Sequence, residues 1–198
     1  GIEIRTYDMS PSVMHAKYFI VDKRIGVLGS HNFDWRALEH IQELGVQLES
    51  EELVASLLSI YQMDWLAAGG EEGVSSGFPR NRDESLKAEL VASPPHLLPS
   101  EDWHDLPKIR ELIKSAKKEL QLQVMSYATQ SYKGVDWPVL DKDLREAAKR
   151  GVAVQVLVAD WSDKSGKREA IHALNSVDGV EVRWTRIPES DKGPIPYA

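Results

Sequence analysis

The sequence predicts an α/β protein with a mixed β-sheet and helices on both faces. Residues 18–21 and 25–28 are β-prone and flank a short polar stretch, which indicates a hairpin. After residue 105, helical and strand periodicities alternate along the chain. Residues 152–159 are almost continuously apolar, a pattern typical of a strand covered by helices on both faces.

The N-terminal third contains further strand and helix patterns around the hairpin. Residues 1–7 alternate between apolar and polar side chains and predict a strand. Asp34 is a capping residue for a helix beginning near Trp35. Residues 45–49 alternate again, and Ser50 opens a helix predicted to run to about residue 66.

Composition changes at residue 69. Residues 69–104 are rich in Gly, Ser and Pro, and so long a structureless segment is uncommon inside a compact domain. We therefore expect a first segment at 1–68, a linker at 69–104 with at most a short element near 86–92, and a second α/β segment at 105–198.

The second segment repeats a helix–strand order. Helices are predicted at 106–119, 139–150 and 167–177, with Gly151 ending the second of them. Strands are predicted at 120–127, 152–159 and 180–185.

Charge and cysteine content exclude several classes of protein. The 24 Lys and Arg against 31 Asp and Glu give a net charge of −7, which opposes general coating of duplex DNA. The absence of Cys excludes a disulfide scaffold, a thiolate zinc site and a cysteine nucleophile. The sequence contains no apolar run long enough to cross a membrane.

One motif carries chemistry: His15, Lys17 and Asp22 are followed by Gly29, Ser30 and Asn32, in the spacing H-x-K-x4-D-x6-G-S-x-N. Alternate side chains of an extended strand share a face, so His15 and Lys17 point the same way. The Lys17 ammonium and the Asn32 amide are donors suited to phosphate oxygens. An imidazole can attack phosphorus or transfer a proton near neutral pH. The set predicts a phosphodiester site that needs no metal and no cofactor.

These residues resemble the HKD motif of the phospholipase D superfamily. Residues 34–36 and 43–46 resemble the subgroup related to the animal lysosomal 5′ exonucleases, with weaker support from residues 124–127, Trp161 and 195–198. In that family two similar lobes each supply one motif. One His forms a phosphohistidine, the other protonates the leaving oxygen, and water completes hydrolysis.

The resemblance implies a role for each residue of the motif. His15 is one of the two histidines, as nucleophile or as acid. Lys17, Ser30 and Asn32 bind the phosphate. Glu43 lies where the family often has a carboxylate that orients the histidine. Asp22 and Gly29 give structural support, with Asp22 at the hairpin tip.

Only one such motif is present, because none of the other five histidines has a Lys two residues on. Residues 1–5 also echo residues 179–183, which favours a duplicated fold of which this chain is a middle piece. The alternatives are a dimer that pairs two motifs, a permuted lobe in which 105–198 and 1–68 share one sheet, and an inactive fragment or scaffold. The expected substrate is a phospholipid or a single-stranded nucleic acid, and the activity is hydrolysis or phospholipid head-group transfer.

Overall fold

The computed structural model describes residues 1–6, 8–10, 12–69, 78–131, 133–160, 162 and 167–185. It confirms the α/β class. The chain divides into two units, Gly1–Leu106 and Pro107–Ala198.

The first unit contains a three-stranded antiparallel sheet of β1 (Tyr18–Val21), β2 (Ile25–Gly29) and β3 (Gly45–Leu48), in that order. The predicted hairpin is confirmed. Its turn places Asp22 and Lys23 at φ values of 52° and 56°, and the Arg24 N–H donates to the Val21 carbonyl at 3.0 Å. Two positive φ values at the centre of a turn match the right-handed twist of a strand pair.

Two capped helices follow the strands. The Asp34 carboxylate accepts from the N–H groups of Arg36 and Ala37 and begins α1 (Trp35–Glu39), as predicted. Ser50 caps α2 (Glu51–Ala68) by accepting from the Leu53 N–H. Helix α2 covers one face of the sheet at Gly26, where a Cβ would lie 3.0 Å from Leu57 Cδ2 and 3.7 Å from Val54 Cγ2.

The N-terminal strand prediction is wrong for the described residues 1–6, which form no strand. Arg5 is held by α2 instead: its guanidinium lies 4.5 Å from the centre of the Trp65 ring and donates to the Trp65 carbonyl at 3.1 Å. The alternating pattern fails because a strand needs a neighbour to pair with, and β1–β3 pair among themselves. The echo with residues 179–183 is therefore one of sequence and not of conformation.

Residues 78–104 are not the structureless linker that composition suggests. They contain β4 (Arg82–Asp83) paired with β5 (Ala88–Glu89), and 3₁₀ turns at Pro95–Leu97 and Glu101–Trp103. Trp103 is only 1% exposed. The buried Ser56 hydroxyl of α2 accepts from the Asn81 N–H at 2.8 Å and fixes this segment to the helix. Contacts between residues distant in sequence therefore fix the conformation of this segment.

The described part of the second unit has a three-stranded parallel sheet and three α-helices, the first of which begins two residues before the unit boundary. The elements are α3 (Asp105–Ser115), β6 (Glu119–Val124), α4 (Val139–Lys149), β7 (Ala153–Ala159), α5 (Arg168–Asn175) and β8 (Val180–Thr185). The strand order is β6-β7-β8. Gly151, which ends α4, has φ of 86°, a conformation that favours glycine.

The core of this unit lies on one face of its sheet. Its most buried side chains are Leu144, Ala147, Val152, Val154, Val158, Ile171 and Leu174. The other face carries a polar row in which Gln121 donates to Gln155 at 3.1 Å and Gln155 donates to Glu181 at 3.5 Å. The expectation that residues 152–159 are covered on both faces is therefore wrong among the described residues, because β7 alternates between exposed and buried positions.

Among the described residues, the strands of each unit form sheets of their own. Within the same residues, no helix is both long and apolar enough to span a bilayer.

Candidate active site

His15 and Lys17 lie together on the segment that leads into β1. The Lys17 Nζ donates to the His15 Nδ1 at 2.9 Å, as expected for residues two apart on an extended chain. The Gly29 N–H donates to the Lys17 carbonyl at 3.1 Å and extends the β1–β2 pairing to this point. Both side chains therefore stand where the hairpin opens, at the end opposite its turn.

Ser30 is fixed at the same end by Glu43 and Leu44. Its N–H donates to the Leu44 carbonyl at 3.0 Å, and its hydroxyl oxygen accepts from the Leu44 N–H at 3.1 Å. The hydroxyl donates to the Glu43 Oε2 at 2.5 Å. The contact expected between Glu43 and His15 is absent from the described hydrogen bonds, and Glu43 holds Ser30 instead.

A residue that the sequence analysis missed, His31, lies beside this cluster. A Cβ on Gly29 would lie 2.7 Å from its Cε1 and Nδ1, and a Cβ on Gly45 would lie 3.1 Å from its Cε1. Gly29 and Gly45 are paired across β2 and β3, so the imidazole covers two neighbouring positions that have no side chain. Two glycines facing each other across strands are the sequence signal that a ring fits there, but their pairing is visible only once the register is known.

The remaining residues of the motif lie apart from this cluster or at its edge. Asn32 is exposed between Ser30 and the start of α1, whose capping by Asp34 fixes the backbone just beyond it. Asp22 lies in the turn at the far end of the hairpin from Lys17. The structure thus brings His15, Lys17, Gly29, Ser30 and Glu43 to one end of the sheet and leaves Asp22 at the other.

Tyr127, from the weaker matching segment at 124–127, is buried in the second unit. Its hydroxyl donates to the Asp141 Oδ1 at 2.6 Å, and Arg145 pairs with the same carboxylate at 2.7 Å. Burial, followed by the bond to Asp141, raises the pKa of Tyr127. These contacts tie the end of β6 to α4. Trp161 and residues 195–198 lie outside the described residues.

The described residues include no cluster of three His, Asp or Glu side chains able to hold a metal ion. The chemistry available at the end of the sheet is that of an imidazole, an ammonium, a hydroxyl and an amide. An ammonium can only donate, so the His15 Nδ1 is the acceptor in their bond. A neutral His15 ring in this arrangement carries its hydrogen on Nε2.

Comparison with known proteins agrees with the resemblance seen in the motif. The family described as cardiolipin synthase, PLD-like domain, matches residues 1–65. All of the chain aligns with phospholipase D Z of Dictyostelium discoideum at 28% identity, with the 5'-3' exonuclease PLD3 of Bos taurus at 29%, and with phospholipase D Y of Dictyostelium discoideum at 27%. These alignments cover 53%, 47% and 55% of the relatives, so the chain spans about half of their length. The chain is therefore similar to phospholipase D proteins over its whole length, and its residues 1–65 match the PLD-like domain model.

Proposed function

We propose that the chain supplies one half of a phosphodiesterase site of the phospholipase D type. The observation that carries the proposal is the His15–Lys17 pair, 2.9 Å apart, at the same end of the sheet as Ser30. An ammonium next to an imidazole binds a phosphate oxygen and leaves the ring to react with phosphorus or with the leaving oxygen. The relatives include proteins named as phospholipases D and as a 5'-3' exonuclease, and both kinds of substrate contain a phosphodiester.

In the proposed reaction Lys17, Ser30 and Asn32 hold the phosphate oxygens. The Nε2 of one histidine attacks phosphorus, and the bond from phosphorus to the leaving oxygen breaks. The second histidine donates its proton to that oxygen. It then takes a proton from the water that attacks the phosphohistidine, and the P–N bond breaks to release the first histidine and the phosphate product. His15 is one of these two histidines. The other comes from a second H-x-K motif, on another lobe or on a second copy of the chain.

The Lys17 contact must be released before His15 plays either part. With Nδ1 accepting from Lys17, a neutral ring holds its hydrogen on Nε2, and that nitrogen has no lone pair with which to attack phosphorus. The acid is the imidazolium, which carries a hydrogen on both nitrogens, so it too cannot accept at Nδ1. A phosphate that draws Lys17 away from the ring frees Nδ1, so substrate binding prepares His15 for either part.

The experiment is hydrolysis of bis-p-nitrophenyl phosphate by the purified chain, with and without a chelator. We expect release of p-nitrophenolate that survives the chelator and is lost in His15→Asn and Lys17→Ala. His40→Asn, at an exposed histidine at the end of α1, is the matched control and keeps the activity. If a second copy supplies the other histidine, the rate per chain rises with chain concentration.

Activity that persists in His15→Asn contradicts the proposal. A chain that binds a phosphodiester through Lys17 but never releases p-nitrophenolate, at any concentration, does not form the site with a second copy and is the inactive fragment or scaffold instead. Addition of a primary alcohol tests the alternative activity, phospholipid head-group transfer. A transferase forms the exchanged diester with the alcohol, and a hydrolase does not.

A further inference from the structure

The face of the first sheet that α2 does not cover carries three neighbouring rings. Phe19 lies on β1, and His31 and Phe33 lie on the segment between β2 and α1. The ring centres of Phe19 and Phe33 are 5.9 Å apart, and those of His31 and Phe33 are 6.0 Å apart. Phe33 is 61% exposed and Phe19 is 43% exposed. We call these three residues the ring patch.

The ring patch lies on the same face of the sheet as Lys17. Lys17 and Phe19 are two residues apart on an extended chain and point the same way. Lys17 is next to Gly29 across the hairpin, and the His31 ring lies on the side of Gly29 where its Cβ would be. One step along a strand pair is about 3.3 Å, so the patch begins about 7 Å from Lys17 along β1. That spacing is on the order of the separation between a phosphate and the base of the same nucleotide.

We propose that the ring patch is a base-stacking subsite for single-stranded nucleic acid whose phosphate is held at Lys17. This inference rests on the proposed function. Aromatic side chains beside a cation are the usual means of holding single strands, because every base presents a flat face to stack on. Phe33 is the centre of the patch, since its ring lies beside both other rings and is the most exposed of the three.

Charge at the far end of the same hairpin fits an extended anionic chain. The turn after Val21 carries Lys23 and Arg24, both exposed, against one carboxylate at Asp22. The patch therefore lies between a cation at Lys17 and a small excess of positive charge at the turn. A strand of nucleotides that starts at Lys17 and continues over Phe33 toward the turn keeps its phosphates near positive charge at both ends.

The experiment is fluorescence anisotropy of the whole chain with two labelled probes, an oligothymidylate and an abasic oligonucleotide with the same number of phosphates. We expect Phe33→Ala to weaken the affinity for the oligothymidylate by about fivefold or more, which is the effect of losing one stacked base. The affinity for the abasic probe should stay within about twofold of the wild-type value. Phe33→Leu keeps the apolar surface and should lose the same preference for bases. Leu86→Ala, at a side chain 65% exposed on the β4–β5 hairpin, is the control and should change neither probe.

The variants also separate the two proposals. Lys17→Ala should weaken the binding of both probes. If it weakens the binding of neither, while Phe33→Ala removes the preference for bases, then the proposed phosphate site fails and the ring patch stands. Equal binding of both probes by the wild type, or no binding of either, overturns the ring patch. The ring patch is also overturned if Phe33→Ala abolishes binding to phosphatidylglycerol vesicles and leaves oligothymidylate binding unchanged. In that case the patch binds acyl chains and not bases. Phe33 is exposed, so thermal melting of each variant should match the wild type.

Discussion

Replacing Gly29 with alanine tests whether the end of the sheet is as closely packed as the structure shows. The new Cβ would lie 2.7 Å from His31 Cε1 and Nδ1 and 2.7 Å from the Leu44 carbonyl oxygen. That is about 0.7 Å inside the 3.4 Å at which ordinary contacts begin. The imidazole can rotate away, but the carbonyl belongs to the backbone and accepts the Ser30 N–H.

Overpacking of this kind costs about 1–3 kcal/mol. In a unit of this size each kcal/mol lowers the melting temperature by roughly 4–8 °C. We therefore expect Gly29→Ala to melt at least about 4 °C below the wild type in differential scanning calorimetry. Gly45→Ala is the matched comparison, since its Cβ meets the movable His31 ring at 3.1 Å and the nearest backbone oxygen at 3.5 Å. Its melting temperature should fall less.

The double variant Gly29→Ala/His31→Ala separates the two clashes. Removing the ring should restore only part of the loss, because the contact with the Leu44 carbonyl remains. A Gly29→Ala protein that melts with the wild type, or one that melts no lower than Gly45→Ala, refutes this description of the site.

Three further predictions concern the segment at 78–104. Ser56→Ala leaves the Asn81 N–H without its buried acceptor and should lower the free energy of unfolding by about 1–3 kcal/mol in urea titrations, whereas Ser115→Ala, on an exposed hydroxyl, should not. Trp103→Ala, at a side chain 1% exposed, should cost about 3–5 kcal/mol; a smaller loss than that of Ser56→Ala would contradict its place in the core. Hydrogen bonds from the side chains of Ser50 and then Ser85, and from the Leu86 N–H, lower the pKa of Asp83 from 3.8 to about 2. The stability that this carboxylate contributes is present above pH 3.8 and is lost as the pH falls toward 2, so Asp83→Asn should melt below the wild type at pH 7 and the difference should narrow across that range. A difference that is the same at pH 7 and pH 2 would exclude this origin.

Local patterns predicted most of the regular elements. The hairpin of β1 and β2, the caps at Asp34 and Ser50, and the alternation of α3 to β8 depend on residues close together in sequence, and the structure has all of them within a few residues of the expected bounds. The alternating pattern of residues 1–5 predicted a strand that is not formed. An alternating segment becomes a strand only where it pairs with another strand, which its own sequence does not specify.

Contacts distant in sequence account for what was not predicted. Gly- and Pro-rich composition hid the packing of Trp103 and the bond between Ser56 and Asn81. At the site, the spacing predicted that His15 and Lys17 share a face, and the structure confirms it. The partner of Glu43 and the place of the His31 ring depend on the register of β2 with β3, which no local pattern specifies.

The polar row across the second sheet has a consequence for how that sheet assembles. A parallel strand with apolar side chains on both faces can shift its pairing register by one residue and still present an apolar surface to the helices that cover it. Here a slip of one residue would turn Gln121, Gln155 and Glu181 into the core and leave their amide and carboxylate groups dehydrated. The row therefore penalises misaligned pairing and favours a single alignment of β6, β7 and β8 during folding.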